Sequence, residues 1–84
     1  ALKEIDKIRL KQFGDNLKKL REARGLSVRE LASQCDVDFS KINKLENNKG
    51  NITLTTLFEL AEGLGVHPSS LLNTKYKHQI PLLN

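Results

Sequence analysis

The stretch from Leu26 to Lys49, LSVRELASQCDVDFSKINKLENNK, constrains the fold more tightly than any other. Ser27 followed by Glu30 three residues later is a capping box, which marks a helix start because each side chain can satisfy a backbone N–H of the first turn. The helix it opens places Leu31, Ala32 and Cys35 on one side, with Val28 one turn back. Asp36-Val37-Asp38 then breaks the pattern. Aspartate tolerates the positive φ that a sharp turn calls for, and Asp38 suits the N-cap of a second helix. That helix turns Ile42 and Leu45 inward, with Phe39 at its head, and stops in Asn47-Asn48-Lys49-Gly50. Two short helices sharing one apolar seam across a turn of about three to four residues predict a helix-turn-helix.

The flanks continue the helical pattern. Ile5, Ile8, Phe13, Leu17 and Leu20 recur at helical spacing, which predicts a first helix over 3–24 closed by Gly25. Gly14 inside it costs about 1 kcal/mol relative to alanine, so either a neighbour approaches closely there or two helical pieces meet. Thr53 is suited to cap a fourth helix that runs to about Leu64 and buries Leu54, Leu57, Phe58, Leu60 and Ala61. Pro68 suits the first turn of a fifth, with Leu71 and Leu72 as its apolar residues. Ile80-Pro81-Leu82-Leu83 makes an apolar tail that could dock on its own domain, cover a partner subunit or stay disordered.

With 84 residues the chain is one domain with a modest core, a size at which association with a second copy is an ordinary route to stability. The net charge of +4 is a mild excess, and its distribution says more. Residues 18–49 carry eight Lys/Arg against five Asp/Glu, whereas residues 50–74 carry two Glu and no Lys or Arg. A basic face for a polyanion and a second face for packing or dimerisation fit that asymmetry. The single cysteine, Cys35, reads as a buried thiol acting as a small hydrophobe rather than a redox sensor. No apolar run approaches the ~20 residues of a membrane span and no signal-peptide pattern is present, so the expected setting is cytoplasmic.

Leu17, Leu20-Arg21, Arg24-Gly25-Leu26-Ser27, Glu30-Leu31-Ala32, Val37, Ile42 and Leu45-Glu46-Asn47 together resemble the Cro/CI-type (Xre) helix-turn-helix family. The resemblance continues through Ile52-Thr53-Leu54, Leu57, Leu60-Ala61, Leu64-Gly65-Val66 and Leu71-Leu72. It implies an all-α, five-helix, lambda-repressor-like DNA-binding domain over residues 13–73, with 1–12 extending the first helix and 74–84 as a tail. Asp36 stands where the family usually has glycine, which predicts a slightly strained turn. Val28 stands where a polar residue commonly begins the first motif helix, which removes one side-chain contact to DNA.

In this family the second motif helix lies in the major groove, its first residues against base edges. Phe39, Ser40 and Lys44 match the positions used most for base contact, and Lys41 and Asn43 are the further candidates. Lys44 can donate to guanine O6 or N7, Ser40 can bond to several bases, and Asn43 can read adenine or hold a phosphate. Phe39 can press on a thymine methyl if exposed or join the core if buried. For Asp38 the N-cap role outweighs a base-reading one. Phosphate contacts are expected from Ser27 with the N–H groups of Val28 and Arg29, and from Asn47, Asn48 and Lys49. Arg24 and Lys19 read as solvated surface charges first. The resemblance pairs Arg21 with Glu46, a structural ion pair between the first helix and the end of the second motif helix.

The implied function is a sequence-specific, double-stranded DNA-binding transcriptional regulator, expected to act as a homodimer because one recognition helix reads too few base pairs. Val66, Leu71 and Leu72 are the expected dimer interface. Compact members of the family include restriction–modification controllers, phage repressors and antitoxins, and the asparagine-bounded loop before Ile52 is faintly similar to the controllers. A second reading is a protein-interaction module, such as an antitoxin or adaptor, that binds another protein through the apolar tail. No nucleophile–base set, phosphate loop or metal-ligand spacing supports an enzyme, a metal or a cofactor. His67, just before Pro68, reads as a helix-entry residue.

Overall fold

The computed structural model describes residues 2–76 and, among these, holds five helices and no strand. They are α1 (Glu4–Ala23), α2 (Val28–Ser33), α3 (Phe39–Glu46), α4 (Leu54–Leu64) and α5 (Pro68–Leu71). The apolar tail, and with it the three fates open to Ile80–Leu83, lies outside the described residues. Among the described residues no helix is long and apolar enough to cross a membrane.

Each boundary has a local cause. The capping box forms in full: Ser27 Oγ accepts from the Glu30 N–H, and Glu30 Oε1 accepts from the Ser27 N–H. Those bonds to the charged form, that from the Ser27 backbone foremost, hold the Glu30 carboxyl below its usual range. Thr53 caps α4 through the Thr56 N–H. Pro68 takes the first position of α5, behind His67, whose Nδ1 accepts from the Ser69 N–H. His67 is thus a helix-entry residue. At the opposite ends, α1 closes at Gly25, α3 at Asn48 and α4 at Gly65, all with positive φ. At each site the next residue's N–H reaches back to a carbonyl five residues earlier, as in Lys49 to Lys44.

Two expectations about the motif turn are corrected. Asn48 is the only described non-glycine residue with positive φ, so Asp36 is not in the left-handed region and the turn carries no strain there. The link between α2 and α3 spans residues 34–38, five rather than the tighter turn predicted, and a longer link reverses the chain without a left-handed residue. Asp38 does sit at the N-cap position with extended backbone, yet its carboxylate makes no capping bond. The turn is held from outside instead, by Glu59 Oε1 of α4 accepting from the Asp36 N–H at 2.9 Å.

The core draws on every helix. Leu17, Leu31, Ile42, Leu60 and Leu71 are its largest fully buried side chains, one from each of α1 to α5. Phe13, Val37, Leu45, Leu57, Ala61 and Leu64 fill in around them. α1 packs on α3 and α5, α2 on α3 and α4, and α4 on α5. Asn16 of α1 closes the end of α5 by donating to the carbonyls of Ser70 and Leu71 at 3.0 and 2.8 Å. Leu71 is therefore core, not interface surface: the first turn of α5 aims it inward and leaves Leu72 outside. α4 corrects the reading in the other direction. Leu57, Leu60, Ala61 and Leu64 make its buried stripe, but Leu54 and Phe58 are 64% and 51% exposed. Its apolar arc is wider than the core it meets.

Gly14 marks a close approach within one unbroken helix. A Cβ built there would overlap the carbonyl oxygen of Leu45, a backbone atom that cannot swing aside. In an open helix position, glycine to alanine stabilises by about 1 kcal/mol. Here Gly14→Ala must push α3 away from α1, and overpacking of this kind costs about 1–3 kcal/mol or more. We expect a lower thermal midpoint by circular dichroism for Gly14→Ala; a raised midpoint would contradict the close approach.

Candidate nucleic-acid interface

The face presented by α3 follows from its register. Ile42 and Leu45 are buried, so Phe39, Ser40, Asn43 and Lys44 come to the opposite, exposed side. Ser40, Asn43 and Lys44 form a polar row one helical turn long. Phe39 heads it and is 37% exposed, which places its ring at the surface rather than in the core. The Arg29 guanidinium of α2 lies over that ring, 4.3 Å from its centroid, so the starts of the two motif helices meet through a cation–π contact.

Lys41 is drawn elsewhere. Its Nζ donates to the Asn51 carbonyl at 2.6 Å, tying α3 to the loop that follows it. Asn43 accepts from Asn47 Nδ2 through both its backbone and its side-chain oxygen, at 2.8 and 3.2 Å. The Asn43 side-chain NH2 group makes no hydrogen bond among the described residues. Asn47, Asn48 and Lys49 are exposed at the end of α3. Ser27 is exposed with its oxygen and N–H engaged in the capping box, while Val28 and Arg29 hold the next two N–H groups of α2.

A buried ion pair fixes where this face points. Arg21 Nε and a terminal nitrogen grip Glu46 at 2.7 and 2.8 Å, and its other terminal nitrogen donates to the Leu26 carbonyl at 2.6 Å. The two side chains are 9% and 6% exposed. Hydrogen bonding to Glu46 raises the Arg21 pKa, with burial opposing. α1, the loop before α2 and the last residue of α3 are thereby locked together by one guanidinium. Cys35 is half-buried beside Gly63, donates to the Leu31 carbonyl at 3.3 Å, and has its pKa raised by burial. Raising it leaves less thiolate, which is the state of a small hydrophobe rather than of a reactive thiol.

Some functional placements were not readable beforehand. Nothing in the pattern announces that Glu59 would hold the motif turn, or that Asn16 would cap α5. The exposure of Leu54 and Phe58 had a signal, since an apolar arc that wide on a short helix exceeds what one core can cover.

An exposed, basic second helix with its far end clamped to the domain is the form of a helix-turn-helix DNA-binding domain. Residues 17–71 match the helix-turn-helix family HTH_3, and the chain belongs to this Cro/CI-type (Xre) family of transcriptional regulators. It is 40% identical over 63 residues to the control protein C.MunI of a Mycoplasma species, covering 74% of this chain and 85% of that one. Among solved structures it is similar to the restriction–modification controller protein C.AhdI of Aeromonas hydrophila. That match has a TM-score of 0.71 and 35% identity, over 74% of this chain and 94% of the other. A second controller, C.Esp1396I, solved as a tetramer with its natural 35 base-pair operator, aligns with a TM-score of 0.71 and 26% identity. It covers 76% of this chain and 84% of that one.

The Arg21–Glu46 pair yields a stability prediction. Arg21→Met leaves the Glu46 carboxylate buried without its partner, at a cost of about 3–5 kcal/mol. The double variant Arg21→Met/Glu46→Leu removes both charges and should recover much of that loss, as read from urea unfolding midpoints. Equal losses in the single and double variants would mean that the packing, not the charge pair, sets the cost.

Proposed function

We propose that this chain is a sequence-specific transcriptional regulator of the restriction–modification controller kind, acting as a homodimer on a two-fold DNA operator. The observation that carries the reading is the row Ser40, Asn43 and Lys44, exposed on a helix whose other side is fully packed and whose end is clamped. Those groups supply a hydroxyl, an amide and an ammonium, which suit base edges in the major groove. Phe39 offers an apolar edge beside them. Arg29, Ser27, Val28, Asn47, Asn48 and Lys49 flank the row and suit phosphates on either side. Lys41, engaged with Asn51, serves first as a brace for the loop. The similarity to C.MunI and C.AhdI supports the controller assignment, and the operator complex of C.Esp1396I supports occupancy of DNA by more than one copy.

The second copy is assigned to the exposed apolar surface of α4 and α5. Leu72 is 49% exposed there, Val66 is half-buried, and Leu54 and Phe58 stand free. Leu54 and Leu72 line one shallow apolar hollow with Phe13, Ile52 and Leu57. Leu54, Phe58 and Leu72, with Val66 at the margin, replace Leu71 as the interface. A two-fold dimer built on α4 and α5 would present two α3 helices to half-sites about 34–36 Å apart.

Selection from a random duplex pool tests the DNA reading. We expect an enriched inverted repeat, located upstream of restriction–modification genes in the source genome. Ser40→Ala and Lys44→Ala should each weaken binding to it by about 1–3 kcal/mol. A folded protein that enriches no sequence, or full affinity in both variants, would remove direct readout and favour the protein-interaction reading.

The dimer face is tested separately. Phe58→Asp with Leu54→Asp changes side chains that lie outside the fully buried core, so the fold should survive both, which circular dichroism checks. Sedimentation should then report a monomer with weakened operator binding; a persisting dimer would place the interface elsewhere.

A further inference from the structure

We propose that Phe39 works through Arg29: its ring is a platform that holds the guanidinium ready to grip a DNA phosphate. Phe39 is then a positioning residue more than a reader of bases. This rests on the DNA-binding reading above and assigns a division of labour within that face.

Arg29 is the second residue of α2 and Phe39 the first of α3. Their contact bridges the two helix starts at the edge of the exposed row. Among the described residues no carboxylate or carbonyl accepts from the Arg29 guanidinium; its partner is the ring 4.3 Å away. A free arginine on a helix surface samples many rotamers, and binding a phosphate must freeze them. Stacking on Phe39 removes that freedom in advance. It also sets the orientation. The guanidinium carbon is held over the ring, and its N–H groups stay available to bond a phosphate bidentately. The same stacking covers part of the ring and reduces what Phe39 can offer a thymine methyl.

The two roles make opposite predictions for Phe39→Leu, which keeps apolar bulk and loses the π face. Binding to a mixed-sequence duplex of about 20 base pairs, measured across a salt series, reads phosphate contacts without knowledge of the operator. Losing one phosphate contact lowers the log–log salt slope by about 0.9, or about fivefold in affinity near 0.15 M salt. We expect Arg29→Ala to show that loss of slope. Phe39→Leu leaves the guanidinium able to reach the phosphate but unordered, so it should weaken the same binding by about two- to tenfold with the slope nearly kept, and in the Arg29→Ala background it should weaken binding no further. Phe39→Tyr, which retains the π face, should keep the parental affinity. The proposal is overturned if Phe39→Leu leaves the affinity for this duplex intact, if it weakens binding equally with and without Arg29, or if Arg29→Ala leaves the slope intact. A parent protein that binds no duplex at all would sink the DNA-binding reading itself. Unchanged affinities in variants of a protein that does bind would sink only the platform.

Discussion

One guanidinium, that of Arg21, carries more of this architecture than any apolar contact. A charge so thoroughly withdrawn from water is tolerated only when each of its donors finds an acceptor in good geometry. Arg21 meets the condition with the carboxylate of Glu46 and the carbonyl of Leu26. Those acceptors lie at the end of α3 and at the threshold of α2. Hydrophobic burial is non-directional, so it fixes the rotation of α3 against α1 less sharply than a two-bond ion pair does. The ion pair, working beside the contact of Gly14 with the Leu45 carbonyl, removes that latitude. The exposed row on α3 therefore has a defined direction before any ligand arrives.

Preorganisation recurs at smaller scale on the same face. Lys41 is bound to the loop carbonyl of Asn51, and Asn43 is bridged to Asn47. Glu59 reaches from α4 to the turn at Asp36. In each case a polar side chain near the proposed reading face is already committed, so fewer rotamers remain to be ordered on association. What is left uncommitted, Ser40 and Lys44 above all, is the part proposed to read bases.

The sequence made the motif legible because its signals are local. A capping box, a proline at a first turn and an apolar seam act within a few residues, and α2, α4 and α5 begin where those signals lie. Burial was legible wherever helical spacing left one answer, as at Leu17, Ile42 and Leu60. It failed at Leu54, Phe58 and Leu71, where apolar residues outnumber the positions that one small core can enclose. Only the packing of α4 on α5 decides which of them go inside. The turn chemistry failed at Asp36 and Asp38 for a related reason. Aspartate can take a left-handed or capping role, but neither role is compulsory once a longer link and Glu59 do the work. The Arg29–Phe39 contact was illegible because it joins two elements whose relative placement no local pattern encodes.

α4 has a consequence for the geometry of an assembled pair. Phe58, on the exposed apolar face, is adjacent in sequence to Glu59, which holds the motif turn. A single residue step on one short helix thus separates the surface proposed to meet a second copy from the bond that anchors the motif turn. In a dimer built on that face, α4 is a gauge: its rotation about its own axis sets the distance between the two recognition helices. Substitutions that alter this rotation would retune the preferred spacing between half-sites while leaving the bases read within each half-site unchanged.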